Sequence, residues 1–241
     1  MEHSVQGGPG LGSFTPADIR VYKENGYLVV KDLFSSEECD RFLETAKSHA
    51  DEKFSAILNL DRTVPALREV MKDPKIVQIL EALQGAEVVG LMSQILFKEA
   101  GSPYASQAWN PHQDNAYPQA ADGAYITINL FLRDADPENG GMYIYPGSHN
   151  EGTLPFEPTI SYREKAGSNP GNPCKVPPQY KRVDLVIPKG GMLIMNSNVI
   201  HGSHPNRSAA RSRPLFSISY ITKGEAFLPG NTAKREAIPL R

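Results

Sequence analysis

The sequence predicts a mainly β fold buttressed by helices, an α+β arrangement around a double-stranded β-helix or jelly-roll (cupin-like) core. Two observations carry that prediction. Residues 15–85 hold capped segments with helical spacing, whereas residues 86–222 break into short β-rich runs separated by Gly, Pro and Asn. Helices at one end of the chain and strands at the other imply helices packed on one face of an antiparallel double sheet. We expect a flexible tail over 1–12, a single domain over 13–241, and within it a C-terminal extension over 223–241.

The elements follow in order. Thr15-Pro16-Ala17-Asp18 offers an N-cap, a proline at the first helical position and an acid three residues after the cap, and Gly26 ends the short helix. GYLVVK from Gly26 to Lys31 reads as a strand. Ser35 with Glu38 repeats the capping pattern, and Cys39, Phe42, Leu43 and Ala46 recur at helical spacing, so a helix is expected from about 36 to about 53. Two more helices, 65–72 and 74–83, end at Gly85. The predicted strands are 86–98, 125–132, 142–146, 182–188, 191–196 and 214–222. Between them, 155–180 is too long and Pro-rich for a hairpin, and loops of this kind are commonly lids.

Composition narrows the function. A net charge of -2, from 25 basic and 27 acidic residues, leaves no footprint for nucleic acid or an anionic membrane, so a small-molecule substrate is expected. No apolar run reaches the length of a membrane span, and the opening residues lack the features of a signal peptide, so the reading is cytoplasmic. The two cysteines, Cys39 and Cys174, read as free thiols.

His112-Gln113-Asp114 carries the chemistry. In an extended segment residues i and i+2 point to one side, which aims an imidazole and a carboxylate at one point. Of the other histidines, His3 falls in the tail, His49 on a polar helix face and His149 in the turn PGSH. His201 ends an apolar β run 87 residues after Asp114, and is expected to be the third ligand, with His204 as the alternative. Two imidazoles and one carboxylate on one face leave positions open, the arrangement suited to iron(II) enzymes that bind a cosubstrate and dioxygen together. An α-keto acid cosubstrate needs an arginine for its distal carboxylate. Arg213 opens the last strand, whose antiparallel neighbour is expected to bear His201. Arg211 is the alternative, and Arg207 reads as solvated.

The segments NPHQDNAY (110–117), ITINLFLRDADPENGGMYIYPGSH (126–149), KGGMLIMNSNVIHGSHPNRS (189–208) and the strand from Arg213 to Tyr220 together resemble the phytanoyl-CoA dioxygenase family of iron(II)/2-oxoglutarate oxygenases. The likeness spans roughly 19–222. It implies that His112, Asp114 and His201 bind Fe(2+) and that Arg213 binds the distal carboxylate of 2-oxoglutarate, one residue further from the distal histidine than the family usually places it. It further implies that Ser203 and Gln94 line the cosubstrate pocket. Asn129 stands where many relatives carry a tryptophan. Relatives that halogenate replace the acidic ligand with a small residue, so Asp114 favours hydroxylation. The expected reaction consumes O2 and 2-oxoglutarate and releases succinate and CO2.

Candidate substrate contacts are Asn115, Tyr117 and Gln119 after the metal motif, Tyr104 and Trp109 before it, Tyr162 and Arg163 in the long loop, and Arg62. Their mixed polar and aromatic character points to a small polar metabolite. Neither an acyl-CoA substrate nor an oligomeric state is implied. Two other readings remain: a cupin-like isomerase or metal-binding protein that does not use 2-oxoglutarate, and a catalytically silent β-sandwich.

Overall fold

The computed structural model describes residues 14–54, 56–156 and 172–241. The tail expected over 1–12 and the pocket candidates Tyr162 and Arg163 lie outside these residues. Helix α1 (Pro16–Asn25) starts with the reciprocal cap read from the sequence: the backbone N–H and hydroxyl of Thr15 donate to the Asp18 carboxylate at 2.7 and 2.8 Å. It ends at Gly26 in the left-handed region, φ 79°, where a Cβ would collide with His149. Strand β1 (Tyr27–Val30) and helix α2 (Ser36–Lys47) follow.

α2 stops short of its expected end near residue 53. The Ser48 hydroxyl (2.8 Å) and the His49 ring (2.9 Å) both bond to the Thr45 carbonyl, the acceptor that the next helical turn needs. A two-residue strand, β2 (Ile57–Leu58), precedes α3 (Pro65–Met71) and α4 (Pro74–Gln84).

The remaining strands are β3 (Val88–Leu96), β4 (Trp109–His112), β5 (Tyr125–Phe131), β6 (Met142–Ile144), β7 (Val183–Asp184), β8 (Met192–Asn196), β9 (His201–Ser203) and β10 (Leu215–Thr222). They form a six-stranded sheet ordered β1-β8-β5-β10-β3-β2 and a four-stranded sheet ordered β4-β9-β6-β7. All pairings between these strands are antiparallel, as the double-sheet reading requires.

Period two explains how the larger sheet serves two layers. Ile126, Ile128 and Leu130 of β5 and Phe216, Ile218 and Tyr220 of β10 join Leu67, Met71, Ile76 and Leu80 from α3 and α4 in one core. The alternate positions, Thr127 and Asn129 of β5 and Ser217 and Ser219 of β10, are buried on the opposite, inner face. Four polar side chains buried on a sheet's inner face need partners or a ligand. A second apolar cluster, including Phe131, Ile144, Leu193, Met195 and Leu215, fills the adjoining space between the sheets.

One expected pairing is corrected. β10 pairs with β3 and β5, whereas β9, which bears His201, pairs with β4 and β6 in the other sheet. Arg213 therefore shares a cavity with the metal side chains across the gap between sheets, not from a neighbouring strand. Among the described residues no helix is long and apolar enough to cross a membrane.

Candidate metal and cosubstrate site

His112 and His201 are direct cross-strand partners in β4 and β9. Opposed residues of an antiparallel pair project from the same face, and the two ring centroids stand 4.3 Å apart. Gln113 continues the extended chain (φ -116°, ψ 133°), so Asp114 turns to the side of His112 before the chain enters a 3-10 turn over Asp114–Ala116. Gln113 faces the other way and pins the loop. Its amide nitrogen donates to the carbonyls of Gly152 (2.8 Å) and Asn198 (2.5 Å), and its oxygen accepts from Leu154 N–H (2.8 Å).

Each imidazole is oriented by a backbone carbonyl. Nδ1 of His112 lies 2.8 Å from the Asn110 oxygen and Nδ1 of His201 lies 3.1 Å from that of Val199. A carbonyl only accepts, so Nδ1 carries the proton and Nε2 keeps its lone pair. Both Nε2 atoms aim at Asp114 Oδ1, from 3.7 and 3.5 Å, and the three potential ligand atoms lie within 4.8 Å of one another. Burial pushes the His201 imidazole down to about 4, which keeps it neutral at pH 7. Burial alone would raise the Asp114 carboxyl, but the positive charge that His201 and His112 carry when protonated, with the Thr127 hydroxyl, holds it below the usual carboxylate range. Two lone pairs and one anionic oxygen thus converge, a donor set that suits iron(II).

A cavity extends from this set to Arg213, lined among others by Gln94, Trp109, Asn129, Ser203 and Ser217. A bulge shapes its wall. Trp109 opposes Ser203 and His112 opposes His201, so β4 uses one more residue than β9 over this stretch. Trp109 and His112 consequently both face the cavity despite their odd separation. On the larger sheet Ser217 pairs with Gln94 on one side and Asn129 on the other, making a polar row across three strands.

The far end is a nest of donors. Arg213 is 1% exposed, its Nε donates to the Gly140 carbonyl at 2.9 Å, and its Nη1 is buried without a partner. The Asn129 Nδ2 is likewise buried and unpartnered. Lys98, buried at the end of β3, donates to Ser203 Oγ at 2.8 Å, to the Gly140 carbonyl at 3.4 Å and to the His204 carbonyl. Gly140 serves this arrangement because it sits at φ 91°, and a Cβ there would meet the Lys98 stem. Burial draws the Arg213 guanidinium down to about 9, and burial followed by the Arg213 charge holds Lys98 well below its ordinary value. Among the described residues neither cation has an ion-pair partner. Two buried cations and two unpartnered N–H groups, with no acid among them, fit a carboxylate ligand.

The other candidates separate clearly. Arg211 is exposed and tied to Asp136 and Glu138, each at 2.6 Å, so Arg213 and not Arg211 reaches the cavity. His204 bonds Asp184 at 2.8 Å, and His149 bonds the Lys23 carbonyl at 3.1 Å at the end of α1. Asn115 is withdrawn from the pocket: it is fully buried, and its amide is used by Ala120 and Thr153. Gln119 is exposed at φ 48°, and Arg62 pairs with Glu236 at 3.2 Å. Tyr104 joins Trp109 in a second cavity that adjoins the first along Gln94 and Leu96. The Tyr117 hydroxyl accepts from Asn172 N–H at 2.9 Å. The long segment is held at its base beside the metal set, since Phe156 pairs with Cys174 and His112 with Pro173. Neither cysteine is in a disulfide.

Sequence reasoning missed Lys98 and Ser217. Both carried a signal: Lys98 shares the period-two phase of Gln94 and Leu96, and Ser217 that of Arg213 and Leu215.

A double-stranded β-helix with two imidazoles and one carboxylate facing a cationic cavity is the framework of a mononuclear metal oxygenase that uses a keto-acid cosubstrate. The chain belongs to the phytanoyl-CoA dioxygenase (PhyH) family of iron(II)/2-oxoglutarate oxygenases, whose model matches residues 22–215. It is 20% identical over 284 residues to phytanoyl-CoA dioxygenase domain-containing protein 1 of Mus musculus, covering 92% of this chain and 95% of that protein. It is 27% identical over 221 residues to the probable alpha-ketoglutarate-dependent hypophosphite dioxygenase of Stutzerimonas stutzeri, covering 81% of this chain and 75% of that protein. In fold it resembles the epimerase SnoN crystallised with Fe3+, alpha ketoglutarate and nogalamycin RO, with a TM-score of 0.72 at 23% identity over 93% of this chain and 94% of that one.

Proposed function

We propose that this protein is an iron(II)- and 2-oxoglutarate-dependent dioxygenase that hydroxylates a C–H bond of a small polar molecule, with release of succinate and CO2. The observation that supports it is one cavity with a metal donor set at one end and a carboxylate nest at the other. His112, Asp114 and His201 would hold iron and leave the rest of its coordination sphere to cosubstrate and dioxygen. Arg213 and the Ser203 hydroxyl would take the distal carboxylate of 2-oxoglutarate, while Asn129, Gln94 and Ser217 line the wall along its length.

Bound iron and 2-oxoglutarate together supply the oxidising chemistry. This chain's residues position it: the backbone carbonyls at Asn110 and Val199 hold the imidazoles in the ligating tautomer, and Lys98 occupies the Ser203 oxygen, so that the hydroxyl proton is free to point at the ligand. Hydroxylation is preferred over halogenation because Asp114 fills the position that a halide would need. Trp109 and Tyr104 are the substrate contacts that the cavity walls support, and Tyr117, close enough to Asp114 to feel its charge, is a third candidate. The experiment is a screen of small amines, amino acids, phosphonates and amides for stimulated succinate formation with iron(II) and 2-oxoglutarate. Incorporation of labelled oxygen into the product reports hydroxylation. Succinate formation that no iron supports, or binding of 2-oxoglutarate unaffected by Arg213→Met, would count against the reading and favour the cupin-like alternative.

A further inference from the structure

The C-terminal extension lies beyond the region matched by the family, yet it is fastened to the β core. Ile238 pairs with Gly90 through two backbone bonds (2.8 and 3.0 Å), Glu236 N–H reaches the Leu91 carbonyl at 3.3 Å, and Leu228 N–H reaches that of Pro118 at 2.6 Å. Asn59 and Arg62 hold the carbonyls of Ala233 and Lys234 at 2.7 and 2.6 Å. This fastening delivers Arg235 to the interior, where it is 8% exposed.

The Arg235 guanidinium bonds the neutral Tyr125 hydroxyl and meets no acid among the described residues. Its Nε is buried with no hydrogen bond, and its Nη1 has a long contact of 3.5 Å to the Leu228 carbonyl. An arginine stays charged in such a place, and burying that charge unpaired is costly.

Its position relative to the metal set is defined by the inner face of the larger sheet. Asp114 bonds Thr127, which pairs with Ser219 of β10. Arg213 lies before the start of β10. On the other side of the Thr127–Ser219 pair, Tyr125 donates to Ser219 Oγ at 2.6 Å and also interacts with Arg235. The charges of Asp114 and Arg235 both act on the hydroxyls of Tyr117 and Tyr125, so the two groups flank the same pair of phenols. Asp114 is committed to the metal and cannot serve as counter-ion.

We propose that Arg235 anchors a carboxylate of the substrate, on the side of the metal away from the cosubstrate nest, so that the enzyme takes small carboxylic acids and discriminates against their neutral analogues. This rests on the oxygenase reading above. The chemistry is that of a planar oxyanion on a pre-placed guanidinium, with the Tyr117 hydroxyl, which accepts from Asn172 N–H, keeping its proton to donate.

The test uses full-length protein loaded with Mn(II) and N-oxalylglycine, which fill the metal and cosubstrate positions without turnover. Acetate, butanoate and 3-aminopropanoate are titrated against their primary amides, with binding read as thermal stabilisation. At least one acid is expected to bind the wild type at least tenfold more tightly than its amide. Arg235→Gln should remove that preference while leaving N-oxalylglycine affinity within threefold, and Arg235→Lys, which keeps a cation, should retain part of it. Should Arg235→Gln prove unstable, the Lys variant and the wild-type acid-to-amide ratio still decide. Equal binding of acids and amides, no binding of any acid, or an acid preference that survives Arg235→Gln overturns the proposal and leaves Arg235 a structural clamp on Tyr125. Loss of Mn(II) or N-oxalylglycine binding by the wild type would instead refute the oxygenase reading.

Discussion

Replacing Lys98 by methionine tests the cosubstrate nest at the residue that sequence reasoning overlooked. Methionine keeps an unbranched stem of similar reach and removes the ammonium. In the wild type that ammonium occupies the Ser203 oxygen at 2.8 Å and adds a second positive charge beside Arg213. Loss of one charge-assisted hydrogen bond is worth about 1.5–3 kcal/mol, which corresponds to roughly a 10- to 150-fold rise in the dissociation constant of 2-oxoglutarate. The free protein should respond much less, because removal of a buried charge offsets loss of donors to the Gly140 and His204 carbonyls. The sign of the pH dependence follows from the lowered lysine value. Binding of a carboxylate favours the charged lysine, so wild-type affinity should fall as pH rises through the lowered value, with proton uptake on binding. The variant should lack that decline. Anaerobic calorimetry in buffers of different ionisation enthalpy measures both quantities. A well-folded K98M protein whose affinity stays within twofold of wild type, with unchanged proton uptake, would refute the role given to Lys98.

Arg213→Met is expected to weaken 2-oxoglutarate binding by at least about 100-fold, from loss of two charge-assisted hydrogen bonds, with metal affinity unchanged. Arg211→Ala should leave that affinity at the wild-type value, since its partners are Asp136 and Glu138; calorimetry on the pair checks both. Gly202→Ala places a Cβ 2.5 Å from the Trp109 carbonyl, a backbone atom of the paired strand, and should destabilise the fold by about 1–3 kcal/mol while spoiling metal binding, readable from denaturant melts and metal titration. His201 is held at about 4 in the fold against 6.5 in an unfolded chain, so in the metal-free protein stability is lost as pH falls from 6.5 towards 4, by about 3 kcal/mol. His201→Ala should flatten that acid limb in urea melts across the window.

The helical caps and the long strands were legible because their signals are local: Thr15 with Asp18, Ser35 with Glu38, and the alternation of Ile126, Ile128 and Leu130. The short strands β4 and β9 were not. Pro111 and Gly202 are poor strand formers, and pairing between distant segments makes those stretches extended. The same limit hid the partner of the Arg213 strand, because which strands share a sheet is decided by the fold, not by neighbouring residues. Metal candidates were legible from H-x-D and from the scarcity of histidines. Asn115 was misjudged because proximity to that motif says nothing of the 3-10 turn that rotates it into contact with Thr153. Lys98 was passed over because a lysine closing an apolar strand ordinarily marks an exit to solvent, and Arg235 because it stands far from every recognisable motif.

The bulge between Trp109 and His112 makes the length of that segment matter more than its composition. Removing one residue there, Asn110 for example, would bring the two strands into step, leave Trp109 facing the cavity two positions from His112, and take out the local bend that sets where its ring sits, while His112 stays opposite His201. A single deletion could thus remodel the mouth of the chamber at unchanged metal chemistry. Indels at this spot are a route by which related chains could accept molecules of different shape, one that tolerance to point substitution would never reveal.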